Sequence, residues 1–95
     1  MRARLDAVST VTVTLIGKPG CHLCDDAREA IRSVIDGLPA GAPEVRVEEL
    51  SILEDAGLHE RYVEDIPVVL VDGRQHTYWR VDQARLRTAL LEEDR

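Results

Sequence analysis

The feature that most constrains this chain is an abrupt change of hydrophobic period around residue 20. Val11-Thr12-Val13-Thr14-Leu15-Ile16 alternates in the manner of a half-buried strand rich in β-branched residues. Gly17-Lys18-Pro19-Gly20 interrupts it. From Cys24 onward Ala27, Ile31, Val34, Ile35 and Leu38 recur at helical spacing, with Asp25, Asp26, Arg28, Glu29 and Arg32 elsewhere on the surface. A strand that passes directly into a helix leaves unsatisfied backbone N–H groups at the helix start. Cys21-His22-Leu23-Cys24 occupies that start.

Further along, Gly37, Pro39, Gly41 and Pro43 end the helix in a loop, and Val45 to Leu50 reads as a second strand, weakened by adjacent Glu48 and Glu49. Residues 52–63 suggest a short helix interrupted around Gly57, with Ile52, Leu53, Ala56 and either Leu58 or Tyr62 as its apolar members. Val68-Val69-Leu70-Val71 is an apolar run typical of a strand buried on both faces. Asp72-Gly73 closes a tight hairpin whose return strand is expected over Gln75 to Trp79, with Tyr78 and Trp79 packing on it or, as the lesser alternative, lining a substrate groove. Asp82 is placed to cap a last helix that turns Leu86, Ala89 and Leu90 inward. The expected order is β-α-β-α-β-β-α: an α/β fold with a four-stranded mixed sheet and helices on both faces, since a strand–helix–parallel strand unit packs right-handed on one sheet. Residues 1–9 read as a ragged start to a single domain spanning 1–95, and Glu92-Glu93-Asp94 as an exposed tail.

Composition narrows the function. With no Phe, the core must come from Val, Ile, Leu and Ala. A net charge of −6 argues against nucleic acid, whose backbone is bound by clustered Lys and Arg. Two cysteines in a C-x-x-C spacing are not the scattered set of a secreted disulfide framework. The alternation of Thr in the Val11–Ile16 run, with Asp6 before it and no small-residue cleavage site after it, speaks against an export signal, and no stretch is long enough to span a bilayer. A cytoplasmic protein without membrane association is the expectation.

The motif itself points to dithiol–disulfide exchange. Helix N–H groups and the helix dipole stabilise negative charge at a thiol placed where Cys21 stands. Cys24, three residues on, lies one turn away on the same face, within reach of a disulfide. Cys21 is then the exposed nucleophile and Cys24 the sheltered resolving thiol, because Cys24 shares its face with Ala27 and Ile31. His22 is expected to tune Cys21. Lys18, the sole lysine, stands three residues before Cys21.

Taken together, Val-Thr-Leu-Ile-Gly-Lys-Pro-Gly-Cys-His-Leu-Cys over 13–24, Ile66-Pro67-Val68-Val69 and Asp72-Gly73 resemble the glutaredoxins, and more closely the small glutaredoxin-like proteins common in bacteria, over residues 11 to about 91. The resemblance implies a thioredoxin-like fold and a thiol–disulfide oxidoreductase that carries no bound cofactor. It implies that Lys18 pairs with a glutathione carboxylate, that Pro67 follows a cis bond, and that the Ile66 backbone meets the substrate's cysteinyl unit. The implied partners are disulfide-containing or glutathionylated proteins, with glutathione as a co-substrate or a thioredoxin-reductase-type system as the source of electrons. Two departures leave glutathione open as the partner. His22-Leu23 replaces the Pro-Tyr between the cysteines of the best-known members, and Thr77-Tyr78-Trp79-Arg80 lacks their Gly-Gly pair.

Two other readings compete with this one. A metal module needs four ligands for zinc, and His22, His59 and His76 are too dispersed to complete Cys21 and Cys24; two subunits pooling their cysteines around zinc or an iron–sulfur cluster is the remaining form of that reading. The other is a non-catalytic adaptor that binds proteins without using its thiols.

Overall fold

The computed structural model describes residues 10–92. In order, the elements are β1 (Thr10–Gly17), α1 (His22–Asp36), β2 (Glu44–Ser51), α2 (Ala56–Tyr62), β3 (Val68–Val71), β4 (Arg74–Tyr78) and α3 (Gln83–Glu92). The expected order is the observed one. The ragged start expected over 1–9 and residues Glu93 and Asp94 of the acidic tail lie outside the described residues.

The four strands form one sheet in the order β2-β1-β3-β4. β1 runs parallel to β2, pairing Val13 with Val47 and Leu15 with Glu49, and antiparallel to β3, pairing Leu15 with Val69. β3 and β4 form the hairpin, with a register shift between Val69 and Leu70. Its turn residues Asp72 and Gly73 have φ of 50° and 83°, the two left-handed positions that a tight hairpin of this hand requires.

Strand alternation divides the core into two layers. Val11, Val13 and Leu15 of β1 and Val69 and Val71 of β3 face one side, where Ala27, Ile31 and Val34 of α1 and Leu86 and Leu90 of α3 cover them. Ile16 and Val68 face the other side and pack with Ile52 and Tyr62. The helices therefore lie on both faces, α1 with α3 and α2 opposite. The side chain of Asp55 accepts from the amides of Gly57 and Leu58 at 2.8 and 3.1 Å, starting α2 after the point where Leu53 would have joined it. Leu53 is in consequence 64% exposed rather than core. Asp82 caps α3 as expected, accepting from the Arg85 amide at 3.1 Å.

Adjacent glutamates do not break β2, because neighbouring strand residues face opposite sides. Glu48 accepts from the Thr14 hydroxyl at 2.9 Å on one face, while Glu49 meets Arg28 of α1 on the other.

Candidate functional site

The junction between β1 and α1 carries both cysteines. Cys21 is the N-cap of α1, with φ −101° and ψ 115°, and its Sγ accepts from the Cys24 amide at 3.2 Å. Its carbonyl receives the Asp25 amide at 3.0 Å, the first turn of the helix. A sulfur in the capping position thus takes the place that a Ser or Asp oxygen occupies at other helix starts, satisfying an otherwise orphaned donor. Cys21 is half-buried and Cys24 only 1% exposed, and both are free thiols.

Cys24 is held against the end of β1. A Cβ built on Gly17 would lie 2.7 Å from the Cys24 Sγ, so the sulfur sits where a side chain on residue 17 would be. Burial, followed by the contact with Cys21, pushes the Cys24 thiol up to about 11, against the opposing hydrogen bond from the Lys18 backbone. The two sulfurs therefore differ in environment by the length of one helical turn.

Lys18 lies exposed in the loop between β1 and Cys21, and its backbone, not its side chain, serves the buried cysteine. His22 is exposed. The Ile66–Pro67 bond is cis, immediately before β3, and Pro67 is fully buried.

On the other flank of the helix start, the expectation for Tyr78 and Trp79 is corrected. β4 ends at Tyr78, and Trp79 turns away from the sheet at φ 69° because its amide is drawn to the Pro67 carbonyl at 2.7 Å. For so bulky a residue that backbone conformation costs on the order of 1–3 kcal/mol. Its indole Nε1 donates to the Glu64 carbonyl at 3.2 Å, and its ring meets Tyr78 edge-on at 5.0 Å. Both side chains stay about half exposed, at 53% for Trp79 and 48% for Tyr78. Nothing in residue type alone marks a left-handed tryptophan.

Arg28 was also missed, because a charged residue on the outer face of a helix reads as solvated. Its guanidinium bonds both carboxylate oxygens of Glu49, at 2.7 and 2.9 Å, and Asp25 at 2.9 Å, tying the first turns of α1 to β2. These residues line a pocket of about 220 Å³ that reaches Cys24, Gly17 and Lys18 from the β2 side. Among the described residues no group of three or more potential metal ligands comes together, and no helix is long and apolar enough to cross a membrane.

Comparison with known proteins places this geometry in company. Residues 12–91 match the Glutaredoxin-like domain family (DUF836). An uncharacterized protein of Mycobacterium tuberculosis is 32% identical over 80 residues, which is 84% of this chain and 82% of that protein, and one from Mycobacterium bovis matches equally. A structural-genomics target from X. campestris shares 35% identity at a TM-score of 0.64, covering 82% of this chain and 93% of that one. Two more distant structures resemble it in fold alone. Protein Ne2328 from Nitrosomonas europaea has TM-score 0.71 and 18% identity over 95% of this chain and 99% of that one. A mutant thioredoxin from Halobacterium salinarum has TM-score 0.64 and 15% identity over 92% and 77%.

Proposed function

We propose, for a chain that belongs to the glutaredoxin-like domain family, that it is a thiol–disulfide oxidoreductase whose reacting pair is Cys21 and Cys24. The observation that carries the reading is the capping geometry: the sulfur of a half-buried cysteine at the head of α1, bonded to the amide of a second, enclosed cysteine one turn later.

The steps follow from the chemistry of the pair. Cys21 attacks one sulfur of a substrate disulfide, and the other substrate sulfur departs as a thiolate and is protonated. The Cys24 amide donates to the Cys21 sulfur at 3.2 Å and holds it at the start of α1 for the attack. Cys24 then gives up its proton and attacks the Cys21 sulfur of the mixed disulfide. This releases the second substrate thiol and leaves a Cys21–Cys24 disulfide. The substrate gains two electrons and the protein loses two. Glutathione or a thioredoxin-reductase-type system returns them, and no bound cofactor takes part. High proton affinity at Cys24 suits a resolving thiol that stays silent until the mixed disulfide brings a sulfur next to it.

In this reading Lys18 offers its exposed ammonium to a substrate carboxylate, the backbone at Ile66 and Pro67 flanks the substrate cysteine, and His22 modulates Cys21. Its substrates are protein disulfides or mixed disulfides, encountered in the cytoplasm.

The test is a Cys24→Ser variant exposed to a disulfide substrate. It should stall as a mixed disulfide on Cys21, identified by mass, while Cys21→Ser reduces nothing. A Cys24→Ser protein that forms no adduct, or a Cys21→Ser protein with full activity, would overturn the proposal. The latter result would favour an adaptor, and a metal or iron–sulfur chromophore in protein purified without oxygen would favour the pooled-cysteine module.

A further inference from the structure

Beside the cysteine pair lies a second concavity. Leu23, Ala27 and Ala30 of α1 form one wall, Trp79 and Val81 the other, and Asp26 and Arg80 are its two charged members. We infer that this trough seats an apolar side chain of a polypeptide substrate, two or three residues from the cysteine that Cys21 attacks, and that it selects polypeptide disulfides over glutathione disulfide. The inference rests on the proposed thiol–disulfide exchange and names its substrate class.

Three observations converge on that occupant. The first is continuity with the reacting sulfur. The trough begins at Leu23, between the cysteines, and runs to Ala30, about 10 Å along the helix axis. A substrate chain joined to Cys21 covers about 10 Å in three extended residues, so the reaction itself tethers a flanking side chain over the trough.

The second is the state of Trp79. Its backbone is held in a left-handed conformation by the bond to Pro67, its indole is fixed by the bond to Glu64, and more than half of its surface remains in water. The fold thus holds a large aromatic side chain rigidly in an unfavourable conformation without burying it. Rigid aromatic surface is what recognition of an apolar group uses, because little conformational freedom is lost on contact.

The third is size and charge. A volume of about 210 Å³ falls below the ~300 Å³ at which pockets begin to enclose a whole small molecule, and matches a single side chain instead. Glutathione brings two carboxylates and one ammonium. The trough offers one arginine and one carboxylate, no net charge for an anionic tripeptide, and five apolar residues.

Single-cysteine synthetic peptides supplied as symmetrical disulfides test this. One carries leucine or phenylalanine at the second and third positions from cysteine, and the other carries glycine there. Reduction by the parent protein should favour the apolar peptide by about tenfold or more in kcat/KM over both the glycine peptide and glutathione disulfide. Trp79→Gly, which suits the left-handed backbone, and Leu23→Ala should each bring that ratio toward one. Trp79 is the sole tryptophan of the chain, so in the Cys24→Ser protein its emission should shift to the blue in the adduct with the apolar peptide and stay in place in the adduct with the glycine peptide. Equal rates for all three disulfides, faster turnover of glutathione disulfide, or a ratio that survives both substitutions overturns the inference while leaving the exchange chemistry standing. If Cys24→Ser forms no adduct with any of the three, the exchange chemistry itself is wrong and this inference falls with it.

Discussion

Replacing Gly17 by alanine probes the packing that encloses Cys24. The new methyl would stand 2.7 Å from the Cys24 Sγ and 3.2 Å from its Cβ. Nonbonded heavy atoms rest at about 3.5–4.0 Å, so roughly 1 Å of movement must be found. Cys24 is enclosed and Gly17 is fixed in β1, where it pairs with Ser51 and its carbonyl receives the Ile52 amide at 2.9 Å. Overpacking of this kind costs about 1–3 kcal/mol. Alanine recovers about 0.5–1 kcal/mol in a strand by restricting the unfolded chain. The net expectation is a loss of about 1 kcal/mol, read as a lower urea midpoint at unchanged slope, with each kcal/mol lowering Tm by about 4–8 °C. Because the obstruction is the sulfur, the double variant Gly17→Ala/Cys24→Ala should be more stable than the sum of the two single changes predicts. A Gly17→Ala protein as stable as the parent, or strictly additive effects in the double variant, refutes the packing argument.

The Cys24 thiol stays protonated in the fold up to about 11 but ionises near 9.0 when unfolded, so its contribution is fully present below pH 9 and is lost between pH 9 and 11. Urea titrations should show the parent losing about 2–3 kcal/mol more than Cys24→Ala across that window, and parallel curves would contradict the burial. Arg28→Lys should lose up to about 1 kcal/mol, since an ammonium cannot reproduce the two-pronged contact with Glu49. The loss should shrink in 1 M salt, where the Debye length is about 3 Å, and a salt-independent deficit would assign Arg28 a different role.

Most of the architecture was legible because the pattern changes period at the right places. The alternation over 11–16, the helical spacing from Cys24 to Leu38 and the Asp72-Gly73 turn each specify one element and one orientation. Even β2, whose paired glutamates argued against it, obeys the same rule once each carboxylate is matched to its own face. What escaped depends on contacts between residues distant in sequence. Leu53 looks like a helix residue until Asp55 claims the cap. Trp79 looks like a strand residue until its amide is drawn to Pro67. Arg28 looks solvated until β2 brings Glu49 beside it. In the site, the two cysteines and their difference in burial could be read from one helical turn, whereas the aromatic wall opposite Leu23 required the return of the chain after β4.

The two sulfurs share a helix start but not an environment. Limiting iodoacetamide added to the reduced protein at pH 7, with the labelled cysteines located by mass, addresses that directly. Cys21 should carry nearly all the label and Cys24 almost none until urea is added. Equal labelling of the two, or labelling of Cys24 first in the folded protein, would contradict the assignment of attacking and resolving thiols.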